Sequence, residues 1–431
     1  MNQLAAPDFL KSLLEPGSAP PAAPNAWLKA RRAEALERAG TLSLPTTRDE
    51  EWRFTDLSAL YKLRVQPSAR GKVDPAALGS VAVPESAARL VFVDGHFAPD
   101  LSAGLQETGV FAGALADAPE QPESALANIA RCESEVFTAI NTAFLQDAAV
   151  VHVRAGHAVA APIHVVYVAT GEETAAHPRV LVMAERGADC TLIEDYVSFD
   201  GKAYFTNAVT EIAVAANARV RHIKLQREAD TAFHIANTSV RLERDARYRN
   251  WSVALGARVS RHNLNISQAA EAMDCEIDGL ALIAGRQLAD THSAIDHAHA
   301  HGRSRQLHKT VVGGAAHAVF NGKILVRPGA QQTNSAQESR NLLLTPRAHV
   351  DTKPQLEIFA DDVKCAHGAT VGQIESEELF YLKSRGLADD AARGLLTYAF
   401  AAEIVERIPV ASIGEALKRV ILAQTLSRDT L

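Results

Sequence analysis

The sequence predicts a mainly β protein: a right-handed parallel β-helix flanked by N-terminal and C-terminal helical regions. Three observations lead there. From about residue 148 to 372, short runs rich in Val, Ile and Thr lie between Gly, Ala and Asn turns, as in PIHVVYVATG and TNAVTEIAVAANARVRHIKLQRE, and alternation within the runs argues for strands. No stretch of ordinary helical length interrupts them, which argues against a doubly wound sheet. A loose repeat also runs through them. GADCTLIE from Gly187, NARVRHIK from Asn217, DARYRNWS from Asp245 and MDCEIDGLALIAG from Met273 start roughly 28 to 30 residues apart, within the period range of stacked solenoids. A large β-sandwich is the second arrangement that such strands allow.

The chain has 431 residues, too many for one compact core, and reads as three regions. The first, 1–147, is expected to be helical. LEPGSAPPAAP has the composition of a flexible linker. NAWLKARRAEALERAG is an amphipathic helix, with Trp27, Leu28, Arg31, Ala35 and Leu36 at helical spacing and Gly40 as its C-cap. ESEVFTAINTAFLQDA is a second, through Val136, Phe137, Ile140, Ala143 and Phe144. The second region, 148–372, is the β-helix core. The third, 373–431, returns to helix. In SEELFYLKSRG, Ser376 is placed to N-cap a helix with two acids in its first turn, and Gly386 to end it. DDAARGLLTYAFAAEIVERI follows with Leu396, Phe400 and Ile404 four apart, and SIGEALKRVILAQTL is a third amphipathic stretch. These helices either cap the solenoid or offer a docking surface, and the two roles are compatible.

Composition narrows the function classes. A net charge of -7 gives no sign of a nucleic acid or an anionic membrane as partner. The N-terminus, MNQLAAPDFLKSLLEPGSAPPAAP, lacks the long apolar run of a signal peptide or a membrane span. The four cysteines, Cys132, Cys190, Cys275 and Cys365, are scattered without a CxxC, which fits free thiols in a reducing compartment and a cytoplasmic protein. Packing is the expected role of the first three. No GxxxxGK[ST], GxSxG, HExxH or GxGxxG occurs, so nucleotide binding by a P-loop is not expected and no catalytic triad is nominated.

Two constellations remain. In THSAIDHAHAHGRSRQLHK, a strand would put His297, His299 and His301 on one face, as in a three-histidine zinc set. Ala298, Ala300 and Gly302 make that a weak strand, and a solenoid corner whose polar groups satisfy the turn backbone is the alternative. In DDVKCAHGATVG, a strand would point Cys365 and His367 the same way, with Cα atoms roughly 6.5 Å apart. Thiolate plus imidazole suits zinc or iron–sulfur chemistry, but two ligands make half a site. The other half must come from the histidine-rich stretch or from a partner; otherwise the pair is only packing.

ADDVKCAHGATVGQIESEELFYLKSRGL closely resembles the C-terminal signature of the SufB/SufD family of iron–sulfur cluster assembly scaffolds, in its SufD form. The similarity extends back through HSAIDHAHAHGRSRQLHKTVVGGAAHAVFNGKILVRPGAQQTNSAQESRNLLLTPRAHVDTKPQLEIFADDVKC, and PTTRDEEWRFTDLSAL looks like the family's N-terminal motif. It is patchy before residue 150 and nearly continuous from about 290 to 387.

The resemblance implies a β-helix core and a non-catalytic scaffold that binds no nucleotide itself. It implies a heterodimer with SufB through the β-helix and docking of the ATPase SufC on the C-terminal helices. Leu379, Phe380, Leu382, Arg385, Leu396 and Phe400 are the expected contacts there. A transient iron–sulfur cluster would form at the interface with SufB, this chain contributing His367, with Cys365 as its neighbour. A homodimer of the isolated chain is a further expectation. His367 ranks above Cys365 because an imidazole coordinates without losing a proton, whereas a thiol must first ionise. A β-helix carbohydrate-active enzyme and a purely structural partner protein are the alternatives.

Overall fold

The computed structural model describes residues 5–14, 26–119 and 125–426. The core is a parallel β-solenoid whose strands alternate between two facing sheets, in agreement with the fold class expected from the sequence. Asp189–Ser198, Arg219–Arg227, Arg247–Ala254, Asp274–Ile283, Arg303–Val312, Asn334–Leu343 and Lys364–Gln373 stack in order in one sheet, here the second. The strands between them, from Phe205–Val214 to His317–Val326 and His349–Ile358, stack in the first. Each pairs in parallel with the strand one coil on: Asp189 aligns with Arg219, Arg219 with Arg247 and Arg247 with Asp274.

The coil is closed by corners that need a left-handed backbone. Gly187, Asn217, Asp245, Ala272, His301 and Gln332 have φ between 56° and 72°, and each stands two residues before a strand of the second sheet. The first three are residue types that tolerate this region. These corners are the repeat visible in the sequence. It fades after Met273 because Ala272, His301 and Gln332 hold the same conformation with less suited side chains.

Parallel register stacks equivalent residues into rows. One inward row runs Cys190, Val220, Tyr248, Cys275, Ser304, Ser335, Cys365. Cys190 and Cys275 are fully buried there, as packing requires, and burial pushes the Cys190 thiol up to about 12. The next inward row on the same strands runs His222, Asn250, Ile277, Gln306, Gln337, His367.

The flanks correct several expectations. Region 1–147 is not wholly helical. Ala88–Val93 extends the second sheet in parallel with Ile163–Ala169, and Val110–Ala114 joins the first antiparallel to Ala149–Val153. These runs are short, and no repeat signals them. Helices do form at Ala26–Thr41 and Val136–Ala143, but the first continues through Gly40 rather than ending there. The linker LEPGSAPPAAP lies, apart from Leu14, outside the described residues. The PTTRDEEWRFTDLSAL motif docks on the outer face of the first sheet. There Arg261 stacks over Trp52, 4.2 Å to the ring centroid, and pairs with buried Asp290, which also accepts from Thr55. Burial disfavours charge on Asp290, but Arg261 and His292 outweigh it and hold the carboxyl at about 2.

The two longer C-terminal helices, Asp389–Val405 and Ala411–Leu426, pack along the outer flank of the second sheet. Ala401, Ile404, Ile413, Leu417 and Ile421 pack against Leu225, Trp251, Leu280 and Leu307. Glu403 adds ion pairs to Lys309 at 2.7 Å and Arg340 at 3.0 Å. Ser376 opens its helix as a helical residue and makes no cap; Glu375 holds the N-cap position without a side-chain bond. Gly386 does end that helix, at φ 92°, with its N–H on Lys383 O and that of Leu387 on Leu382 O. No described helix is long and apolar enough to cross a membrane.

Candidate functional site

Lys364–Gln373 is the last strand of the second sheet. It pairs in parallel with Asn334–Leu343, and its other edge has no partner strand among the described residues. His349–Ile358 ends the first sheet in the same way. Two ten-residue edges therefore offer unpaired backbone groups side by side at one end of the solenoid. Pro354 removes one donor from the first of them.

Cys365 and His367 do share a face of that strand. Cys365 aligns with Ser335 and His367 with Gln337, both buried. The Gln337 amide donates to Gln306 Oε1 at 2.9 Å, inside the solenoid. One coil further on no described strand covers these two rows, and Cys365 is half-buried and His367 exposed. Cys365 packs against the cluster of Ile324, Val326, Ala330 and Ala360. Burial pushes its thiol up from the usual value, so it stays protonated at neutral pH. Of the two, the imidazole is the group ready to coordinate without a prior ionisation.

The histidine-rich stretch does not complete this site. Its strand ends at His297, and residues 298–302 form a corner, with His301 at φ 61°. The three imidazoles therefore share no strand face. His297 is fully buried, its Nε2 2.9 Å from Ser304 Oγ, so it bonds a side chain rather than turn backbone. The His299 backbone N–H donates to Gln268 Oε1, so a glutamine side chain satisfies this corner group.

The residues expected to dock a partner divide into two sets. Ser376–Ser384 buries none of its residues. Phe380 is 74% exposed and Tyr381 57%, with the Arg385 guanidinium 5.2 Å from the Tyr381 ring centroid. Leu379 and Leu382 are half-buried beside them. On the longer helix Asp389–Val405, Leu396 is half-buried and Phe400 packs against the sheet cluster, with Lys309 Nζ 4.7 Å from its ring. Phe400 is thus committed inside the chain, while Phe380 is free.

Register also assembles a group that sequence reading passed over. His317 and His349 are ladder partners on the outward face of the first sheet, and Asp351 stands two residues beyond His349. The only trace in the sequence is the alternating His-Val-Asp, and its partner lies a full coil earlier.

Residues 167–400 match the SufBD core domain of the SUF system for FeS cluster assembly, and residues 22–165 match the SufBD protein N-terminal region. The chain is 41% identical over 411 residues to an iron–sulfur cluster assembly SufBD family protein of Synechocystis, covering 92% of this chain and 91% of the relative. It is 37% identical over 385 residues to the iron–sulfur cluster assembly protein SufD of Escherichia coli, covering 88% of each. The SufD of Bacillus subtilis is 27% identical over 430 residues, 96% of each chain. The chain belongs to the SufBD family of iron–sulfur cluster assembly proteins and is a homologue of SufD.

Proposed function

We propose that this chain is a non-catalytic scaffold of the SUF system that builds an iron–sulfur cluster, as cargo, jointly with SufB. The observation that carries the reading is the pair of open rows ending in Cys365 and His367. It presents an imidazole at an end of the solenoid where both sheets have a ten-residue free edge among the described residues. A second β-solenoid chain docked there would satisfy those edges and bring its own ligands to His367. Cys365 shares the row of two core cysteines and has a raised pKa, which favours a packing role for it.

SufC is proposed to dock on the helices from Ser376 to Ile408, chiefly through Leu379, Phe380, Leu382 and Arg385, with Leu396 and Phe400 positioning the surface from behind. The scaffold itself is proposed to bind no nucleotide and to act in the cytoplasm. Co-expression with SufB and SufC, followed by size-exclusion chromatography, tests the assembly. The full chain should carry both partners. A chain ending at residue 375 should keep SufB and lose SufC. Undiminished SufC binding by the shortened chain would exclude the helices as the docking surface.

A further inference from the structure

We propose that His317, His349 and Asp351 form a second metal site, for a divalent first-row cation such as zinc or ferrous iron. The three are held by two paired strands. His317 and His349 are aligned across the ladder between His317–Val326 and His349–Ile358, and Asp351 follows on the same outward face. The His317 Nε2 lies 2.7 Å and the His349 Nε2 3.2 Å from the same oxygen, Asp351 Oδ2. The ring centroids are 4.9 Å apart, and one ligand atom from each residue falls within 4.8 Å of the others.

Metal–nitrogen and metal–oxygen bonds of about 2.0–2.2 Å in tetrahedral geometry set ligand atoms roughly 3.3–3.5 Å apart. That spacing lies inside the range already present, so small χ rotations seat the cation and no backbone change is needed. Two imidazoles, borderline donors, and one carboxylate, a hard donor, form a set that zinc and ferrous iron accept and that leaves positions open. The side chains are 27%, 64% and 25% exposed for His317, His349 and Asp351, so a cation has access and the open positions face solvent. Lys353, the nearest cation along the strand, is held away by Glu50 at 2.7 Å. The site faces outward on the first sheet, whereas Cys365 and His367 face inward on the second.

The test is a cobalt(II) titration of the full-length chain, followed by visible absorption. It is run in a Cys365→Ala/His367→Ala background so that this pair does not contribute. Anaerobic ferrous iron and zinc arms are read by metal content after desalting. One equivalent should bind saturably. His349→Ala and Asp351→Asn should each weaken binding by more than about tenfold, since loss even of a group that only orients a ligand costs that much. His349 is exposed, so its variant keeps the fold, and an unchanged melting temperature verifies this. Unaltered binding in the His317→Gln/His349→Gln chain, or no saturable binding below millimolar metal, would overturn the proposal and leave a surface hydrogen-bond cluster. Saturation by zinc with none by ferrous iron, or the reverse, fixes which cation the site takes.

Discussion

Gln337 and His367 are paired across the last ladder of the second sheet, yet Gln337 is 3% exposed and His367 lies open to solvent. The same inward row passes from core to surface in one step because the solenoid stops there. Each coil shields the one before it, and the final coil has no successor among the described residues.

Native thiol labelling should follow that step. Cys190 and Cys275 are fully buried, whereas Cys132 and Cys365 are half-buried. A neutral alkylating reagent near pH 8 should modify Cys132 and Cys365 slowly, and Cys190 and Cys275 only after unfolding. Faster reaction with rising pH is expected, because burial raises both accessible thiols. Mass spectrometry of the labelled peptides checks the order; early labelling of Cys275 would contradict the row assignment.

The two faces of the C-terminal region should separate binding from stability. Phe380→Ala should weaken SufC binding with little change in melting temperature, because its helix buries nothing. Phe400→Ala should cost about 2 kcal/mol, less than a full core deletion because the ring is only half-buried. Calorimetry and a SufC pull-down on the two variants make the comparison. Equal loss of stability in both would mean that Ser376–Ser384 packs on the chain.

Much of this was legible in the sequence, and the limits have physical causes. The corner residues Gly187, Asn217 and Asp245 advertise themselves because few side chains tolerate a left-handed backbone. Ala272, His301 and Gln332 do the same work unannounced, which is why the sequence leaves strand and corner both open for His297, His299 and His301. Alternation around Cys365 correctly put it on one face with His367, but exposure depends on which coil is last, and no local pattern carries that. The His317, His349 and Asp351 group depends on a ladder alignment across a full coil, which periodicity alone does not fix.

Asp290 should be the costliest single position in the docking of the N-terminal motif. Its carboxylate pairs with buried Arg261, accepts from Thr55 and lies 3.1 Å from His292. Asp290→Ala leaves the Arg261 charge buried and unpaired, at a cost of about 3–5 kcal/mol. Chemical denaturation measures it. A loss near zero would mean that Arg261 finds another acceptor.

Acid should destabilise the solenoid through its buried histidines. Burial lowers His177 to about 3 and His297 and His308 to about 4. His234 and His262 are lowered too, by burial first and then by Lys224. Below the unfolded value near 6.5 the unfolded chain takes up protons that the folded chain refuses. Stability is therefore full above pH 6.5 and falls as pH drops from there toward 4. Asp147, pushed up to about 6 by burial, and His292, raised beside Asp290 against its burial, work in the opposite sense but are fewer. Melting temperatures between pH 7.5 and 5 should decline, and His308→Gln should flatten the decline. An unchanged slope in that variant would mean that His308 is protonated in the fold.

His367 is proposed as this chain's ligand to the nascent cluster. The most direct measurement is the iron and sulfide content, with the visible spectrum, of the purified complex with SufB and SufC carrying His367→Ala. The subunits should still assemble, cluster content should fall several-fold, and Cys365→Ala should retain most of it. A His367→Ala complex that accumulates cluster like the parent would contradict that role.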